Sequence, residues 1–93
     1  MGFFDQMKQL QEMKQKADEV KKKLDGIELT EENEAVKVVV NGNRKIVQLT
    51  IKDKQNNALE ILLTNAINEA MAKADNVMQA EMMAVTKGII PGM

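Results

Sequence analysis

Cysteine, histidine, tyrosine, tryptophan and serine are all missing from the 93 residues. Their absence removes the usual nucleophiles, the proton shuttle of neutral pH and the soft metal ligands together. Carboxylates, lysines and four threonines remain as acid–base groups, and none falls in a catalytic spacing. A non-enzymatic protein without metal, cofactor or small-molecule substrate is the reading this supports. Lack of cysteine fits a reducing compartment. A membrane-spanning run is also missing, because Lys73, Asp75 and Glu81 interrupt the most apolar stretch. The first ten residues carry Asp5 and no segment of signal length, and Gln6 stands where a myristoylation motif on Gly2 needs Ser or Thr. The chain therefore reads as cytoplasmic. With only Phe3 and Phe4 as aromatics, bases cannot stack on a sheet as they do in many single-strand and RNA binders. No charge sign dominates either: 13 basic and 14 acidic side chains leave a net charge of −1. What is present, 44% hydrophobic and 29% charged residues, is the composition of a chain that folds, and its length allows a single domain over 1–93.

Apolar residues at Phe3, Leu10, Met13, Ala17, Val20 and Leu24 recur every three or four positions, the stripe of a helix over about 3–25. Gly26 supplies the left-handed residue that commonly follows a last turn. Ile27, Leu29 and Thr30 read as a short strand or extended entry. From Ala35 to Lys52 the period becomes alternating and β-branched, which predicts a hairpin centred on Asn41-Gly42, with Asn43 and Arg44 able to extend the loop. Two or four loop residues place Val36, Val38 and Val40 on one face with Val47, Leu49 and Ile51, leaving Lys37, Gln48 and Lys52 in water. A second helix over about 58–87 follows, with Asn57 as cap, Glu60 as its capping-box partner, and Gly88 and Pro91 as stop signals. The fold class is α+β: a helix, a short antiparallel sheet over about 27–52 built on the hairpin, and a long helix.

A compact chain of this length has a radius of gyration near ~12 Å, whereas a helix of about thirty residues spans roughly 45 Å. The second helix must overhang its own core. All eight methionines lie within 1–13 or 71–93, at ends that meet if the two helices run antiparallel. The overhanging stripe and the hairpin edge would both stay uncovered in one copy, and a symmetric homodimer removes that difficulty.

Charge offers two readings. Glu12–Lys16, Asp18–Lys22 and Glu19–Lys23 have the acid-first i, i+4 spacing of a solvated helix laced with weak ion pairs. Alternatively, Lys14, Lys16, Lys21 and Lys23 flank the apolar stripe and, with Lys8 and Lys22, form a track for backbone phosphates. Arg44 and Lys45 add a patch at the hairpin tip, and the second helix adds only Lys73 and Lys87.

Particular segments resemble the YbaB/EbfC family. Gln6-Met7-Lys8-Gln9-Leu10-Gln11-Glu12-Met13-Lys14 is similar to its Met- and Gln-rich first helix, and Val36-Lys37-Val38-Val39-Val40-Asn41-Gly42 to its hairpin. Ala66-Ile67-Asn68-Glu69-Ala70 resembles part of its last helix, and Glu81-Met82-Met83 through Gly88 to Pro91-Gly92 its ending. Lys52 departs from the pattern, standing where an acidic residue often follows the last strand. The resemblance implies a tweezer-shaped homodimer that binds duplex DNA in the bacterial nucleoid and influences chromosome organisation or gene expression. It does not assign contact residues, so the ten cations named above stand as a physical reading of the arm surfaces. The alternative is a dimeric protein-interaction adaptor or prefoldin-like chaperone that does not bind DNA.

Overall fold

A computed structural model describes residues 2–89, apart from the side chains of residues 3, 4 and 86–89. The chain runs α1 (Phe3–Asp25), β1 (Glu28–Glu32), β2 (Val36–Asn41), β3 (Ile46–Ile51) and α2 (Leu59–Ile89), the α+β order expected. The three strands form one antiparallel sheet in the order β1-β2-β3.

The core is thin. Val36, Val38 and Val40 are fully buried on one face of β2, and Ala66, Ala70 and Ala74, one turn apart on α2, lie against them. Three alanines at i, i+4 and i+8 give α2 a flat flank that lets its backbone approach the sheet. Leu29, Leu59, Leu62, Leu63, Ile67 and Met71 close the sides. Each valine contributes about 1.5–3 kcal/mol by leaving water. α2 rests on β2 and β1, so β3 lies beside it and all six of its side chains are exposed.

Asn33 organises the turn into β2. Its Oδ1 accepts the N–H groups of Ala35 (2.9 Å) and Val36 (3.1 Å), and its Nδ2 donates to the Leu62 carbonyl of α2 (2.9 Å). One side chain thereby fixes the β1–β2 turn and the seat of α2 on it.

Five local expectations are corrected. Gly26 ends α1 in the right-handed region (φ −87°, ψ −8°), its N–H turned back on the last carbonyls, so no left-handed residue is needed there. In the hairpin the positive φ belongs to Arg44 (64°). Asn41 accepts the Arg44 N–H and donates to Lys45 (3.1 and 2.9 Å), a turn followed by a bulge rather than a tight Asn-Gly turn. The bulge shifts register between Val39 and Val40, so Ile46 rather than Val47 stands opposite Val40, while Leu49 and Ile51, opposite Val38 and Val36, keep the face expected of them. At the start of α2, Asn56 rather than Asn57 makes the side-chain bond, its Oδ1 accepting the Ala58 N–H at 2.8 Å in the turn that leads into the helix, and α2 begins at Leu59, one residue later than expected. Finally, α2 continues through Gly88 to Ile89. A glycine in a last turn weakens a helix by about 0.5–1 kcal/mol without ending it. Pro91 lies outside the described residues.

The extents are 66 × 22 × 16 Å and the radius of gyration is 18.6 Å, against about 12 Å for a compact chain of this size. Accessible surface reaches 7055 Å², whereas a folded monomer of this mass exposes roughly 5,400 Å². Among the described residues no helix is long and apolar enough to cross a membrane.

Candidate nucleic-acid interface

The pose of α1 is set by the hairpin tip. The Gly42 N–H is shared between the carbonyls of Leu24 (2.9 Å) and Ile27 (3.1 Å), just past the last turn of α1. Asn43 Nδ2 donates to the Lys21 carbonyl (2.9 Å) and to Asp25 Oδ1. Leu24 is buried against Gly42, and Val20 is buried one turn earlier. Beyond them the described side chains of α1, residues 5–19, are exposed. Arg44 pairs with Asp75 of α2 at 3.2 Å, and Lys23 with Glu81 at 3.0 Å. Both helices therefore leave the sheet past the same hairpin tip.

These contacts divide the expected cations. Lys23 and Arg44 are held by α2, and Lys73 is held by Glu31 (2.9 Å) and the Thr30 carbonyl (3.0 Å) of β1. Lys8, Lys14, Lys16, Lys21, Lys22 and Lys45 have no intrachain carboxylate partner among the described residues. The i, i+4 pairs Glu12–Lys16, Asp18–Lys22 and Glu19–Lys23 are not formed; Lys23 turns to Glu81 instead. Lys87 lies on the last turns of α2, and its side chain is outside the described residues. Five unpaired lysines thus share the exposed helix α1, joined near its C-terminal end by Lys45 in the loop that docks there.

Lys52, the departure noted in the sequence, bridges to Glu32 across the sheet at 2.9 Å. Its ammonium, by hydrogen bond and by charge, holds the Glu32 carboxyl below its ordinary value of 4.5. A carboxyl with a lowered folded pKa stabilises the fold above its unfolded pKa, and that contribution vanishes as pH falls through the folded value. The unfolding midpoint of the wild type minus that of Glu32→Gln should therefore be constant at neutral pH and shrink below about pH 4.5. A difference independent of pH down to 2 would contradict the pairing. The effect is small, since both groups are solvated.

A helix, a three-stranded sheet and a long helix, with lysines gathered on the first helix, match a known pattern over almost the whole chain: the model of the YbaB/EbfC DNA-binding family covers residues 1–89. The chain belongs to that family. A nucleoid-associated protein of Clostridium kluyveri is 36% identical over 94% of this chain and 83% of its own length. Similar proteins occur in Ruminiclostridium cellulolyticum (32%, covering 94% and 84%) and Flavobacterium johnsoniae (32%, covering 100% and 95%), both named nucleoid-associated proteins. Within the YbaB/EbfC pattern, Val36–Gly42 forms β2 and enters its turn, while Ala66 and Ala70 form the flank of α2 that meets it. The Pro91-Gly92 ending lies outside the described residues.

Sequence reasoning missed Asn33 and Asn43 as organisers. Asn43 was visible only as loop, since its partners lie 18 and 22 residues away. Asn33 had a local signal, an asparagine three residues before a strand, which marks an Asx turn.

Proposed function

We propose that this chain, acting as one domain over 1–93, is a non-enzymatic nucleoid protein that binds duplex DNA as a homodimer through backbone phosphates. The observation that carries the proposal is the set of unpaired lysines on α1: Lys8, Lys14, Lys16, Lys21 and Lys22, with Lys45 beside the docked end. Solvated ammonium groups on a projecting rod suit the phosphate backbone, and without base-edge contacts such binding is largely blind to sequence. The names of the family and of the relatives support the same reading. Lys23, Arg44 and Lys73 contribute less, because each would first have to leave a carboxylate.

Dimerisation is supported by β3. Among the described residues its outer edge is unpaired, and Ile46, Val47, Leu49 and Ile51 are exposed on it. The accessible surface exceeds that of a compact monomer by roughly 1,700 Å², as much as a standard interface buries in total. A second copy joined along β3 would cover the strand and set two pairs of helical arms on one sheet.

Titration of random-sequence duplex against salt tests the DNA reading. Binding should weaken steeply as salt rises, and replacing Lys21 and Lys22 with Gln removes four ammonium groups from a homodimer and should lower the slope of log K against log salt by roughly 3.5. Lys23→Gln should change it by less, because that ammonium already holds Glu81. No binding at low salt would discard the proposal in favour of an adaptor without DNA. An unchanged slope in the double variant would discard these contacts.

A further inference from the structure

Laid out in sevens, α1 sorts its charges by position. With Leu10, Ala17 and Leu24 at a, and Met13 and Val20 at d, the acids Asp5, Glu12, Asp18, Glu19 and Asp25 all fall at b or c. The lysines fall only at e, f or g, and the charges beside the apolar seam are Lys14 and Lys21 at e and Lys16 and Lys23 at g. In paired helices the e and g residues choose the partner. The C-terminal end of this seam already shows the choice: Val20 and Leu24 are buried, and Lys23, a g residue, meets Glu81 of α2 at 3.0 Å. Towards the N-terminus the same seam is uncovered, with Leu10 66% and Met13 48% exposed and Met7, at e, 42% exposed.

We propose that the N-terminal half of α1 is a docking strip for an amphipathic helix of another protein, one whose apolar seam is flanked by carboxylates. Such a helix would continue along α1 the contact that α2 begins: leucine-like side chains over Leu10 and Met13, acids against Lys14 and Lys16. A second copy of this chain does not fit. Its α1 would set lysine against lysine, and the acids of its α2 beyond the sheet, Asp75 and Glu81, already hold Arg44 and Lys23. A phosphate backbone would match the lysines and leave Leu10 and Met13 in water. The strip stands independently of the DNA reading; if both hold, acidic helix and DNA compete for Lys14 and Lys16.

The test uses the full chain and labelled synthetic peptides of about 21 residues, three heptads with Leu at a and d. One carries Glu at e and g, one carries Lys there, and one scrambles the Glu peptide. Fluorescence anisotropy near physiological salt, where exposed charges are screened beyond about 8 Å, should show the Glu heptad peptide binding at least about tenfold tighter than either control. Leu10→Asp should abolish that preference while leaving the circular dichroism unchanged, since Leu10 is no part of the core. Lys14→Glu with Lys16→Glu should transfer the preference to the Lys peptide. Equal binding of Glu and Lys peptides, equal binding of the scrambled peptide, indifference to Leu10→Asp, or no binding would each overturn the proposal. The duplex titration reads the DNA reading separately, so failure of one is distinguishable from failure of the other.

Discussion

Leu49→Lys is expected to turn the protein from a dimer into a monomer sedimenting at 10.4 kDa, half the mass expected for the unaltered chain at micromolar concentration. Leu49 pairs with Val38 across the sheet and is 44% exposed because α2 does not reach β3. A lysine there costs a single copy little. In a joined sheet it would be an ammonium desolvated without a partner, worth several kcal/mol and counted twice by symmetry. The unfolding midpoint should rise with concentration in the wild type and stop doing so in the variant. A wild type that sediments as a monomer at micromolar concentration would remove the dimer, and a dimeric Leu49→Lys would move the interface away from β3.

Gly42→Ala should destabilise the fold by about 1–3 kcal/mol, the usual cost of forcing a methyl group into a packed site. A Cβ at this position would lie 2.8 Å from Leu24 Cδ2 and 3.0 Å from both Leu24 Cβ and the Leu24 carbonyl oxygen. Leucine can turn its tip away, but the carbonyl cannot retreat without lengthening the bond it accepts from the Gly42 N–H. The damage should therefore concentrate where α1 docks, and hydrogen exchange should speed up over the last turns of α1 more than in β2. Gly26→Ala is the control. Its Cβ would meet only the Lys23 carbonyl at 3.6 Å, on a backbone that is already right-handed. Urea unfolding should show it neutral or slightly stabilised, by up to about 1 kcal/mol through the unfolded chain. Equal losses for both variants would refute the close approach at Gly42.

The elements and their order were legible because their signals are local. Periods of two and of three to four residues mark β2, β3, α1 and the alanine flank of α2 without reference to anything distant. Errors arose where two local signals competed or where a remote partner decided. Asn41-Gly42 is a strong tight-turn signal, yet the hairpin puts its left-handed residue at Arg44, leaving Gly42 for a contact with α1 that no neighbour in sequence announces. Asn57 had Glu60 three residues on in its favour, yet the bond to the Ala58 N–H comes from Asn56. The lysines were visible as residues, but their sorting into held and unheld was not, because Glu81, Asp75 and Glu31 lie 58, 31 and 42 positions from Lys23, Arg44 and Lys73. The acid-first spacing on α1 pointed instead to Glu19 for Lys23. Exposed pairs at that spacing are worth only about 0.3–0.5 kcal/mol, so a carboxylate on a packed neighbouring helix readily displaces them.

α2 is a single unbroken rod from Leu59 to Ile89, so the part seated on β2 and the part beyond the sheet turn together. Past Ala74 it runs fifteen residues to Ile89, about 22 Å at the helical rise, and a pivot of about 10° at the alanine flank would carry its far end roughly 4 Å. That is a lever: sub-ångström slippage over Ala66, Ala70 and Ala74 is multiplied at the tip. In the proposed dimer, the spacing of the helical arms would thus be set at the valine–alanine seat, far from the α1 amines.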